Sequence, residues 1–387
     1  MEKKTNQFLR GIISGIILTL LVSGVFHLGL SIYRGVNKNE NIGRDKIIKE
    51  IDELIDDRYL YEVDKKKMDA GAIKGYVLSM GDKYAQYFTP EEFEMLNQSF
   101  DGKYYGIGVT IVYDSDSGLY KIDAISKGYG ADLAGMKVGS YITKIDGKAA
   151  NIESINGLLA QIKKMKPGDK VKFELIQDGE EKTFEPEIKE VIKDIVTSKM
   201  ISDSLYIKIS EFDNLTHQQM MNELKKYNNF KGIIIDLRDN PGGDLEAVLN
   251  VTSEFIPDKL ITYTEDKYKH KTIYNGKKTG TYSEVPMVVL VNKNSASASE
   301  LFTGAIKDYK RGTIIGSKTF GKGIVQEIIP LNNGGAFKQT IMNYFTPNGN
   351  NIQDKGIEPD IKIEEYDKKM QLEDQPEITE ALKALNK

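Results

Sequence analysis

The sequence predicts an α+β chain built of several domains. Three observations predict it: an uncharged apolar stretch near the N-terminus, short strands between residues 102 and 187, and strands alternating with helices from residue 188 to about 363. At 387 residues the chain is long enough for two or three domains of ~100–200 residues. Its hydrophobic and charged fractions, 40% and 28%, are those of a globular protein. A net charge of −4 supplies no basic field, which argues against nucleic acid as a partner. The absence of cysteine excludes disulfides, thiolate metal sites and a cysteine nucleophile.

Residues 1–36 read as a short tail and a membrane anchor. Gly11 to Tyr33 contain no Asp, Glu, Lys or Arg, and as a helix they would span roughly 34 Å, enough for a bilayer core. The stretch is too long for the apolar region of a signal peptide, and Val22-Ser23-Gly24 is a weak cleavage site. Basic residues stand on both sides (Lys3, Lys4 and Arg10 before, Arg34, Lys38 and Arg44 after), so charge alone leaves the orientation open.

Residues 37–101 read as a polar linker followed by a helical subdomain. Ile47, Ile48, Ile51 and Ile55 form one stripe at helical spacing, and Met68, Ile73, Val77 and Met80 form another. Thr89-Pro90-Glu91-Glu92 combines a cap, a first-turn proline and acidic residues at the positive end of a helix.

Residues 102–187 change to short strands. Gly106-Ile107-Gly108-Val109 is a glycine loop running into a strand, followed by strands at Tyr120 to Ile125 and around Ile142, a helix around Ile152 to Met165 and a strand at Val171 to Gln177. With Ala131-Asp132-Leu133-Ala134-Gly135 between them, this order resembles a PDZ domain of the protease-associated kind. Ser140 stands where that pattern commonly has aspartate, a departure expected on the surface. The resemblance implies that a peptide adds as a strand beside the sheet and that N–H groups of the 106–109 loop take its terminal carboxylate.

Residues 188–366 form the mixed α/β core. Thr216 and Gln219 have capping-box spacing at the start of an amphipathic helix. Gly232 to Leu237 and Pro286 to Val291 are apolar runs suited to buried strands. Residues 367–387 are charged and read as a tail or a surface helix.

The candidate chemistry follows those two strands. Ser297 comes directly after the second, at the expected start of a helix, where a sharp turn presents a hydroxyl beside its neighbour's N–H. With Glu300 it also has the spacing of a simple capping box. Lys322 lies between Gly321 and Gly323, which let the backbone turn the side chain inward. A lysine serves as a base only if burial brings its pKa down from ~10.4 to roughly 7–8. Gly316 to Lys322 matches the start of a phosphate-binding loop, but Gly323 replaces its hydroxyl residue and a strand pattern follows, so an NTPase is dismissed. Pro241-Gly242-Gly243 ends the first strand, and its N–H groups can converge as an oxyanion hole. Of three histidines, His27 lies in the anchor, while His217 and His270 lack an aspartate partner in sequence. A Ser-Lys pair therefore fits better than a triad, and no zinc motif is present.

Taken together, these segments resemble a carboxy-terminal processing peptidase, a tail-specific protease. Tyr84 to Thr89, the PDZ-like region, Asp236 to Gly243, Ser295 to Glu300, Thr319 to Gly323 with Gln326, and Gly356 to Asp360 follow that family's order from about Lys46 to Ile363. The resemblance implies a core of the ClpP/crotonase-like type and a membrane-anchored serine endopeptidase. In it Ser297 is the nucleophile, Lys322 the base and Gln326 the residue that orients the lysine. Ala298 and either Gly242 or Gly243 supply the oxyanion hole. In a straight strand Lys322 and Gln326 would be ~13 Å apart, so the chain must bend near Gly323. Also implied are protein substrates with unstructured C-terminal tails, an extracytoplasmic catalytic part, no cofactor or metal, and no nucleic acid. The helical and C-terminal segments offer surfaces for a homo-oligomer. The competing readings are a catalytically silent, membrane-tethered PDZ scaffold and an esterase or amidase on a related core.

Overall fold

The computed structural model describes residues 43–100, 103–151, 155–163, 165–278, 280–363 and 370–386. The uncharged stretch from Gly11 to Tyr33 lies outside them, and no helix among the described residues is long and apolar enough to cross a membrane. The chain divides into two compact units, residues 1–69 and 70–387.

Helix α1 (Arg44–Arg58) forms where the isoleucine stripe predicts it but buries none of its residues, and Ile47 and Ile51 are each 45% exposed. Helix α2 (Lys65–Leu78) follows. The segment expected to be helical up to residue 101 contains a strand, β1 (Gln86–Phe88). Helix α3 (Pro90–Phe100) then opens with a complete capping box. The Thr89 N–H donates to Glu92 Oε2 at 2.9 Å, and the Glu92 N–H donates to Thr89 Oγ1 at 3.3 Å.

A small sandwich comes next. Its order is β2 (Lys103–Gly106), β3 (Val109–Asp114), β4 (Leu119–Ile125), α4 (Gly130–Leu133), β5 (Tyr141–Ile145), β6 (Lys148–Ala149), α5 (Ile155–Lys163), β7 (Phe173–Gln177), β8 (Glu180–Phe184) and β9 (Lys189–Ile192). Strands β3-β4-β5-β7-β8 form an antiparallel sheet over which Leu158 and Ile162 of α5 bury Ile122, Ile142 and Leu175. Strand β3 is an edge, paired only with β4 among the described residues. The entering and leaving strands, β2 and β9, pair with each other as a ribbon. Ser140 is not on the surface as expected: it is 3% exposed and donates to Gln177 Oε1 at 3.1 Å, a bond that ties the turn before β5 to the end of β7.

The core contains β10 (Val196–Ile201), β11 (Ser204–Ile209), α6 (Thr216–Lys225), β12 (Gly232–Asp236), α7 (Leu245–Ser253), β13 (Leu260–Asp266), β14 (Lys271–Asn275), β15 (Met287–Val291), α8 (Ala298–Asp308), β16 (Thr313–Gly316), β17 (Ile324–Pro330), β18 (Ala336–Phe345), β19 (Ile361–Lys362) and α9 (Pro376–Leu385). One sheet has the order β10-β11-β12-β15-β16-β19, parallel from β11 onward. Every residue of β12 and β15 is buried, as their unbroken apolar runs require. In the second sheet β18 pairs with β1, β13 and β17.

Two expectations for the core are corrected. Thr216 and Gln219 form no capping box: the Gln219 side chain instead accepts from the Ile195 and Val196 N–H groups and donates to the Lys193 carbonyl, fixing α6 to the start of β10. Of the tail and the surface helix expected at the C-terminal residues, the helix forms, but it is not merely superficial: α9 buries Ile378 and Ala381 completely against Ile234, Leu290 and Ile315. Its Glu377 lies 3.5 Å from Arg238, whose guanidinium also binds Asp236 through two nitrogens. All three are 2% exposed or less, so α9 closes over a buried ionic cluster at the end of β12.

Candidate active site

Strands β12 and β15 are parallel neighbours, so the turns that follow them meet on one edge of the sheet. Side chains stitch the two turns together. Ser295 Oγ donates to the Leu237 carbonyl at 2.7 Å, and the Asn240 carbonyl accepts from the Ala296 N–H and from Ser299 Oγ, each at 3.0 Å. This network holds Ser297 at φ 54°, ψ −114° as the residue preceding α8. A non-glycine residue pays roughly 1–3 kcal/mol for such a conformation, which is kept only where the surroundings enforce it.

The glycine turn passes directly against this serine. A side chain on Gly242 would put its Cβ 2.8 Å from Ser297 Cβ. The two glycines also differ in their N–H groups. That of Gly242 donates to Asn240 Oδ1 at 2.9 Å. The N–H groups of Gly243 and Ala298 have no acceptor among the described residues, and both residues line the cleft with Ser297 while Gly242 does not.

Lys322 reaches the same cleft from the start of β17. A β-bulge between Val325 and Gln326 supplies the bend, so Lys322 Nζ donates to Gln326 Oε1 at 2.8 Å. Gln326 Nε2 in turn donates to the Tyr84 carbonyl at 2.7 Å. Burial lowers the lysine's pKa, and the nearby Lys338 charge lowers it further, against weaker opposing effects of Asp82 and Glu300. Ser297 and Lys322 share the cleft but are not hydrogen bonded to each other. The cleft encloses about 500 Å³, with Leu96, Leu245, Leu301, Ile324 and Ile328 on its apolar walls.

His217 and His270 do have carboxylate partners, Glu254 at 2.9 Å and Asp266 at 3.1 Å, which the sequence does not suggest. Neither histidine lines the cleft. Among the described residues no group of three or more His, Cys, Asp or Glu gathers to hold a metal ion.

A second, smaller groove of about 80 Å³ lies on the sandwich, lined by Gly106, Ile107, Gly108 and Val109 with Ile111 and Leu159. The loop is fixed by its carbonyls, which accept from Ala131 and Ser126, while the N–H groups of Ile107 and Gly108 have no acceptor among the described residues.

Three residues inside the segments singled out in the sequence have a structural weight that the sequence does not assign them. Glu300 resembles an ordinary cap, Asn240 an ordinary turn residue, and Tyr84 carries no chemical signal at all.

Residues 203–363 match the model of peptidase family S41. A protein of Staphylococcus saprophyticus described as a CtpA-like serine protease is 29% identical over 94% of this chain and 74% of its own length. The carboxy-terminal-processing protease of Bartonella bacilliformis is 32% identical over 82% of this chain and 74% of its own. A solved Bacteroides fragilis structure described as an S41 protease shares the fold, with a TM-score of 0.54 at 15% identity over 85% of this chain and 92% of that one. The protein is thus a serine-type protease with a mixed α/β fold. It belongs to peptidase family S41, alongside the CtpA-like and carboxy-terminal-processing proteases.

Proposed function

We propose that this protein is a membrane-anchored endopeptidase that cleaves extracytoplasmic proteins at or near their C-terminal tails, using Ser297 as nucleophile and Lys322 as base. The observation that carries the reading is the convergence in one cleft of a serine on an enforced turn, two uncommitted N–H groups and a half-buried lysine. The neutral lysine amine removes the Ser297 proton as Oγ attacks the peptide carbonyl carbon. The resulting oxyanion lies between the N–H groups of Ala298 and Gly243, each such donor being worth roughly 3–4 kcal/mol. The protonated lysine then gives its proton to the leaving amine, and water releases the acyl group with the lysine again as base. Closing the Ser297–Lys322 hydrogen bond is a side-chain movement that accompanies substrate binding.

The sandwich acts as a PDZ domain in this reading. Its open β3 edge, apolar groove and free N–H groups suit an apolar C-terminal peptide added as a strand. The anchor is the uncharged stretch from Gly11 to Tyr33, single-pass, with the catalytic part outside the cytoplasm. The exposed isoleucine face of α1 suits self-association. The test is cleavage of casein followed by mass spectrometry, comparing the protein with its Ser297→Ala and Lys322→Arg variants. Cleavage by the parent alone supports the pair, whereas retained cleavage by either variant rules out its assigned role.

A further inference from the structure

The segment from Asp82 to Phe88 contains no group expected to react, yet it reaches the lysine. Gln326 Nε2 donates to the Tyr84 carbonyl at 2.7 Å, which turns Oε1 toward Lys322 Nζ at 2.8 Å. The Tyr84 ring lies 5.1 Å from the same Nζ. Tyr84 is itself held from both sides. Its N–H donates to Asp82 Oδ1 at 2.8 Å, and β1, two residues on, is registered to β18 from Gln86↔Lys338 to Phe88↔Ala336.

We propose that Tyr84 is a positioning residue for Lys322, its carbonyl fixing the Gln326 amide and its ring shielding the lysine amine from water. The proposal rests on the Ser297/Lys322 reading. A neutral amine has two N–H bonds and one lone pair. Oε1 of Gln326 accepts one N–H, which leaves the lone pair for the Ser297 proton. The flipped amide would aim an NH2 donor at that lone pair, in competition with the serine. A backbone carbonyl can only accept, so Tyr84 excludes the flip.

The ring has two opposing effects. Excluding water favours the neutral amine, whereas attraction between a cation and the ring favours the charged one. The charged groups facing Nζ are Lys338 from β18, Asp82 from the loop before β1 and Glu300 from α8. With all of them present the lysine's pKa is lowered and burial is the leading cause. We take shielding as the larger of the ring's two effects, which the Tyr84 variants test.

The experiment uses the full chain in detergent. Competitive acetylation across pH, read by mass spectrometry at Lys322 in a Ser297→Ala background, gives the titration midpoint directly. Parallel kcat/KM profiles on casein use the intact serine. Tyr84→Phe, which keeps ring and carbonyl, should hold the parental midpoint. Tyr84→Ala should raise it and carry the acid limb of kcat/KM upward, with about a tenfold loss at pH 7 per unit moved. Tyr84→Leu should move it less, and it covers the case of an alanine variant that fails to fold. An unmoved or lowered midpoint in a folded Ala or Leu variant overturns the proposal. Full activity of Lys322→Arg would overturn the Ser/Lys reading and this proposal together, and is distinguishable because it appears with Tyr84 intact.

Discussion

Glu300 holds Lys322 by its backbone: Oε2 accepts from the Lys322 N–H at 2.8 Å while also accepting from the Ser297 N–H at 2.9 Å. Oε1 takes the Thr319 hydroxyl at 2.6 Å and the Gly321 N–H at 2.7 Å. Four donors therefore fill one carboxylate that has no exposed surface, and the serine turn and the lysine loop are joined as one body. Glu300→Gln keeps the shape but turns an NH2 group toward two of those donors. The expected cost is about 2–4 kcal/mol of stability, from groups worth about 1–3 kcal/mol each when left unsatisfied. We expect kcat to fall at least about tenfold, with a smaller change in KM, since the groups to be aligned act on the transition state. Denaturant melts and steady-state kinetics check both, and parental kcat in a folded variant would remove Glu300 from this role.

The lysine carries a cost in stability. Its folded pKa is lowered, so between that value and the ordinary one the unfolded chain holds the extra proton and stability rises with pH. Below the folded pKa the penalty is present in full. Lys322→Met should therefore abolish cleavage and raise the melting temperature by roughly 1–4 °C at pH 7. The gain should narrow as pH approaches 10. Calorimetry at the two pH values reads the sign, and a gain that widens with pH contradicts it.

Asn240 braces the glycine turn from inside, donating to the Ile209 carbonyl at 2.9 Å and accepting from the Gly242 N–H. Asn240→Ala leaves both groups unmet beside Ser297. We expect a loss of about 2–4 kcal/mol in stability and a fall in kcat larger than the rise in KM, measured on a short fluorogenic peptide.

Leu159 lines the sandwich groove, away from the catalytic cleft. Leu159→Asp introduces a charge where an apolar tail residue would sit. KM for a substrate with an apolar C-terminus should rise at least about tenfold, since a buried unpaired charge is costly. Cleavage of a short peptide that fills only the cleft should keep its kcat. A matched loss on both substrates would show that the groove does not select tails.

The sequence and the structure part ways for identifiable reasons. Ser297, Lys322 and Gln326 can be placed from short local patterns, because strand ends and glycine-flanked turns are written in neighbouring residues. The bulge between Val325 and Gln326 is not, since it depends on how β17 is registered against β18. Gly242 and Gly243 look equivalent in the chain and are separated only by a side-chain bond from Asn240. Ser140 appears exposed because its partner Gln177 is far away in sequence. The isoleucine period of α1 predicts its helix but not its exposure, because periodicity describes a face and not what covers it.

The closing of α9 over Arg238 has a consequence for the order in which the protein is made. Synthesis runs from the N-terminus, so Ser297, Lys322 and the glycine turn all emerge before Glu377. Until α9 is in place, the Asp236–Arg238 pair at the foot of that turn lies open to water, and so does the sheet face carrying Ile234 and Leu290. A chain lacking residues 376–385 would keep the bonds that hold the Ser297 turn but lose Glu377 beside Arg238. The sheet that carries both turns is therefore covered on this face only once residues 376–385 have docked, a segment far along the chain from the turns it backs.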